Sequence, residues 1–245
     1  MTKRGNSDQA SALAQNRSCQ SRALKVLEPV VLVATPIAAA WLTFAQVQGT
    51  AFLTLALVVG SILFVTMGVE RSAPRLRQIM PVVVLAAVAA VGRMLFAPVP
   101  DVKPVTAIII VAGTALGARA GFSVGALAAL VSNFYFGQGA WTPLQMYAWG
   151  LVGYLAGTLT RGGLLKDLRT VCVYGFFSAL LYGCILNGWH VLGFVRPLTW
   201  QSALLAYSAG FPLDVLHGTA TVAFLLAIWK PWTRQINRVV AKYGL

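Results

Sequence analysis

Long apolar runs separated by short polar links fill this chain from Val26 to Trp229, and they decide what it can fold into. A bilayer core of roughly 30 Å takes about 20 apolar residues per helix. The runs 26–44, 51–69, 79–96, 105–118, 121–136, 144–160, 168–187 and 202–229 approach that length. Charged residues make up only 10% of the chain, against about 25% in an ordinary soluble domain, too few to cover a water-facing surface. In lipid the backbone must satisfy its own hydrogen bonds, which leaves helices or a closed barrel. The runs are rich in Leu, Ala and Val and lack the alternation of barrel strands. The expectation is an all-α integral membrane protein of about eight transmembrane helices.

The net charge of +13 would suggest nucleic acid in a soluble protein. Here the basic residues gather between the runs, so the charge reads as topology and no nucleic-acid partner is expected. Lys3, Arg4, Arg17, Arg22 and Lys25 precede the first run; Arg71, Arg75 and Arg77 follow the second. Arg119 lies between the fourth and fifth, Arg161, Lys166 and Arg169 between the sixth and seventh, and Lys230, Arg234, Arg238 and Lys242 after the last. With alternating spans all of these fall on one side, while the other side has only Lys103 and Arg196 in its loops. That asymmetry places both termini in the cytoplasm of a multi-pass cell-membrane protein and favours an even number of spans. The chain divides accordingly into a polar cytoplasmic segment (1–25), a transmembrane hairpin (26–69), a basic cytoplasmic hinge (70–78), a six-helix membrane core (79–230) and a basic cytoplasmic tail (231–245).

Catalysis finds little support. Cys19, Cys172 and Cys184 show no metal-ligand spacing and read as small packing residues. No Gly-rich phosphate loop ends in Lys and Ser/Thr, so the chain is not expected to hydrolyse ATP. Neither an enzyme nor a resident metal or cofactor is expected. Glycines at 113, 117, 121 and 125, and again at 153 and 157, recur every four residues, as do Ala86 and Ala90. Such spacing lets helix backbones approach closely in lipid, within one bundle or against a partner.

Binding has better candidates. One outer loop reads Pro98-Val99-Pro100-Asp101-Val102-Lys103-Pro104, and another runs from Asn133 through Phe136, Gln138 and Trp141 to Pro143. Aromatics, amides and glycines in one short segment are the ingredients of a small-molecule pocket. An interfacial aromatic belt accounts for Tyr135 or Trp141 but not for Asn133 and Gln138. Lys103, Asn133, Phe136, Gln138 and Trp141 are therefore candidate ligand contacts. In the last run Asp214 and His217 stand three apart on one helical face. Ionisable groups at that depth suggest function, although a structural pair that locks helices together, through Arg93, is the alternative.

Residues 83–157 resemble the substrate-binding S components of energy-coupling factor (ECF) transporters. The resemblance rests on Ala86-Ala87-Val88-Ala89-Ala90-Val91-Gly92-Arg93, on Val102-Lys103-Pro104-Val105-Thr106-Ala107, on Gly121-Phe122-Ser123-Val124-Gly125-Ala126-Leu127, and on Ser132-Asn133-Phe134-Tyr135-Phe136-Gly137-Gln138-Gly139 with Trp141-Thr142-Pro143. Phe211-Pro212-Leu213-Asp214 with His217 is similar to the family's last helix. The resemblance implies a six-helix core that captures a vitamin or related micronutrient from outside. It also implies docking on a transmembrane coupling subunit driven by two cytoplasmic ATPases. Small residues four apart on the core's first helix form the docking face in that family, and Ala86 and Ala90 match that spacing. Within the family the sequence is most similar to the branch associated with cobalamin or its precursors. The N-terminal hairpin departs from the six-helix plan. The competing reading is a stand-alone secondary transporter with Asp214 and His217 as a proton relay, and a membrane-embedded enzyme comes third.

Overall fold

The structure is a computed structural model that describes residues 27–39, 41, 42, 45, 50–71 and 76–243. The segment 1–25 with Cys19, the link 46–49 and the hinge residues 72–75 lie outside the described residues. Among those described, helices account for almost everything and no strand occurs. The first is α1 (Leu27–Ala39). It is followed by α2 (Thr50–Arg71), α3 (Leu76–Leu95), α4 (Val105–Leu116), α5 (Ala118–Phe136), α6 (Trp141–Arg161), α7 (Leu168–Phe194) and α8 (Trp200–Tyr243). Among the described residues, each expected apolar run falls on a helix. Gln78–Leu95, Leu168–Phe194 and Trp200–Lys242 are long and apolar enough to cross a membrane, and Leu27–Ala39, Phe52–Met67 and Val105–Leu116 are shorter apolar helices.

Several boundaries differ from the sequence expectation: α3 begins at Leu76, α6 at Trp141, and α7 runs on to Phe194. The turn expected at Arg119 falls at Gly117, whose φ of 94° lies in the left-handed region that a side chain resists. Arg119 is therefore inside the first turn of α5. Of the tail expected at 231–245, the described residues 231–243 continue α8, which runs unbroken for 44 residues past Pro212 and Pro231. At about 1.5 Å per residue it is about 66 Å long, twice a bilayer core of roughly 30 Å.

The centre of the bundle is α4. Every residue from Val105 to Gly113 is buried, and the helix packs against α3, α5, α6 and α8. Glycine makes that density possible. A Cβ on Gly113 or Gly121 would lie 2.3 or 2.4 Å from the Gly153 carbonyl oxygen, and one on Gly157 would lie 2.3 Å from the Ala118 nitrogen. The four-residue glycine repeat is thus used within this chain, to bring α4, α5 and α6 together. The N-terminal hairpin is fastened to the outside of that unit. Leu32, Val58, Ile62 and Val65 form one cluster with Phe122, Tyr147, Leu151 and Tyr154, and the Tyr147 hydroxyl donates to the Leu32 carbonyl. Elsewhere the exterior is strongly apolar: Val84, Val91, Phe177, Leu204, Leu205 and Phe211 are each more than half exposed.

Candidate ligand-binding site

The site is built around a charge in an apolar helix. Arg93 is the one charged residue of the apolar segment Gln78–Leu95 and stands in the last turn of α3. It faces inward and is only 8% exposed. Its Nη1 donates to Ser132 Oγ at 2.6 Å and to Asn133 Oδ1 at 2.7 Å, both in the last turns of α5. The guanidinium carbon lies 4.4 Å from the centre of the Phe136 ring and 4.9 Å from that of Trp149, within the range of cation–π attraction. No carboxylate of the described residues pairs with it. Its Nε is buried and makes no hydrogen bond.

Trp149 of α6 carries the site inward. Its ring stacks on Tyr182 of α7 at 4.6 Å. Its Nε1 donates to Thr106 Oγ1 of α4 at 3.1 Å, and that oxygen lies 2.8 Å from His217 Nε2 of α8. Indole N–H is a donor only, so Thr106 accepts there and its own proton is free to go to the imidazole. His217 also meets Tyr182 edge to face at 5.5 Å. Tyr182 also lies within electrostatic reach of Gln145, which accepts from Asn133 Nδ2 at 2.8 Å. Side chains of six helices, α3 to α8, therefore close one polar and aromatic network at a single end of the bundle. A buried network of this kind fixes a single side-chain arrangement when its members are satisfied.

The expected site residues divide. Phe136 and His217 belong to the network. Lys103, in the loop between α3 and α4, lies within electrostatic reach of Arg93 and His217. Burial lowers its pKa from the ordinary 10.5, opposed by Asp101 and reinforced by Arg93. Asn133 is fully buried and spends its amide on Arg93, Thr142 and Gln145, so it positions Arg93 and has little left for a ligand. Gln138 donates to the Leu130 carbonyl at 3.1 Å and accepts from Thr142 Oγ1 at 2.9 Å, which closes the loop back onto α5. Trp141 is 46% exposed, and its ring lies over Gly139 of its own loop. Asp214 and His217, although three apart, have different partners: Asp214 takes a 3.0 Å hydrogen bond from Asn187 of α7 and fills the space beside Gly183. Neither pairs with Arg93.

Ala86 and Ala90, expected on a docking face, are 3% and 1% exposed and lie within the bundle in this arrangement. The exposed side of α3 carries Val83, Val84, Val88 and Val91 instead. Four-residue spacing marks a close approach without saying to which neighbour, and here the neighbours are the chain's own helices.

Arg93, Thr106, Gln145, Trp149 and Tyr182 were not among the expected ligand contacts. Arg93 carried a signal, a lone charge in an apolar run. Trp149 and Tyr182 carried none, since they meet only through the packing of α6 on α7.

Residues 73–237 match the family described as "Family of unknown function (DUF6580)", and the chain belongs to that family. No curated protein and no solved structure matches the chain.

Proposed function

We propose that this chain is the substrate-capturing subunit of a membrane uptake system, an S component of the ECF kind. It would take a vitamin-like micronutrient from outside the cell and dock on a transmembrane coupling subunit with two cytoplasmic ATPases. The observation that carries the reading is the network around Arg93, where loop residues and six helices converge on aromatic faces and a few polar groups, as small-molecule sites do. The lack of an ATP-binding loop in the sequence fits a subunit that relies on partners for energy. The proposed orientation has the Arg93 end outside, both termini cytoplasmic and all eight helices in the cell membrane. Cobalamin or a precursor is the first ligand to try. A stand-alone transporter with Asp214 and His217 as a proton relay has less support, because those two side chains do not share a hydrogen-bonded path.

The test is purification of the tagged chain from its own membranes in mild detergent, followed by reconstitution. An S component brings along a membrane subunit and ATPases, and vesicles accumulate the compound it carries only with those partners and ATP. Ion-driven accumulation by the chain alone would overturn the assignment in favour of the secondary transporter.

A further inference from the structure

We propose that the ligand carries an organic acid group, held by the free edge of the Arg93 guanidinium. This rests on the reading of the Arg93 network as a small-molecule site and narrows the ligand class.

The argument starts from what surrounds the cation. Phe136 and Trp149 lie against the guanidinium, and Ser132 and Asn133 accept from Nη1. Nη1 is the nitrogen on the side of Cδ, so Nε–H and Nη2 point together along the opposite edge. Neither makes a hydrogen bond with any described residue. Two parallel N–H groups on one edge match the two oxygens of a carboxylate, the pairing for which arginine is suited and lysine is not. The residue is 92% buried by its 8% exposure. A buried charge with only neutral partners is strongly unfavourable, and a bound anion removes that penalty. Lys103 adds positive potential from the adjoining loop. Arg119, by contrast, has its carboxylate within the chain. Phe136, which lies over one face of the guanidinium, is 37% exposed, so the site reaches the surface on that side.

The full chain is purified in dodecyl maltoside, and its melting temperature is followed with benzoate, benzamide or inorganic phosphate. Wild type, Arg93→Lys and Arg93→Met are compared. A probe at about ten times its Kd raises the melting temperature of a chain this size by about 3–6 °C. Benzoate is expected to do so with wild type and benzamide is not. Arg93→Lys weakens benzoate at least tenfold, and Arg93→Met abolishes the shift while melting within a few degrees of wild type. If phosphate alone gives the Arg93-dependent shift, the group is a phosphate ester and the acid site stands. Equal shifts with benzoate and benzamide, or a benzoate shift that survives in either variant at full strength, overturn the proposal. Small molecules released from the purified wild type separate it from the wider reading. A bound compound without an acid group sinks the acid site and leaves the binding function intact, whereas no bound compound and no probe effect remove both.

Discussion

Two arginines, Arg119 of α5 and Arg93 of α3, sit at opposite ends of α5, which rises about 20 Å between Arg119 and Ser132, and they are treated in opposite ways. At its N-terminal end Arg119 is paired: Nη2 lies 2.7 Å from Glu28 Oε1, and Nε donates to Oε2 at 3.1 Å. Glu28 comes from α1 and is 2% exposed, so the pair ties the N-terminal hairpin to the core. At the other end, Ser132 and Asn133 hold Arg93 through neutral acceptors. The first site is electrostatically complete within the chain, and the second is not. The same residue type thus serves once as a fastener and once as an open group, and only the identity of the partners tells the two apart.

The comparison is broken most forcefully at the fastener. Arg119→Met leaves Glu28 buried without a counter-charge, which should cost on the order of 3 kcal/mol and lower the melting temperature in detergent. Ligand retention at the far end of the bundle should persist in the fraction that folds. Replacing both members, Glu28→Met with Arg119→Met, should restore most of that loss, because an apolar pair avoids the desolvation of both ions. A double variant as unstable as the single one would mean that the pair does not act as a unit.

A smaller effect is expected inside the network. Thr106→Val removes the oxygen shared by Trp149 and His217 and leaves the buried indole N–H unmet, at about 1–3 kcal/mol. Ligand affinity should fall with stability, since the ring that lies against Arg93 loses its anchor. Unchanged affinity would confine the role of Trp149 to packing.

The smallest effect concerns pH. Burial lowers the Lys103 pKa below 10.5. As pH rises through that lowered value, the folded protein loses this proton before the unfolded chain does. Stability from this group therefore increases between the two values, while affinity for an anion declines because a positive charge is lost. Lys103→Met should remove the alkaline decline in affinity. A decline that is the same in the variant would assign it to another group.

The helices were legible because each apolar run carries its own length signal, and the polar links mark where it stops. The C-terminal end of α8 was not, because the apolar run stops at Trp229 and basic residues follow, while the helix continues through Pro231 to Tyr243. The candidate site was legible in part. Phe136, His217 and Lys103 stood out as aromatic or ionisable groups in or beside apolar runs. Gln138 stood out as an amide and Trp141 as an aromatic in a glycine-containing loop, and both make contacts within that loop. Sequence cannot distinguish a side chain that completes a turn from one that faces a ligand. Trp149 and Tyr182, 33 positions apart, acquire their role only when α7 packs on α6. Ala86 and Ala90 show the same limit, because their spacing says that something comes close but not what.

The most direct test is mass spectrometry of the small molecules released when purified wild type and Arg93→Met are denatured. A single acid-bearing organic compound should be released in near-stoichiometric amount from wild type and be missing from the variant, although the variant remains folded by its melting curve. Retention of the same compound by both proteins would contradict the assignment of Arg93 as the group that holds the ligand.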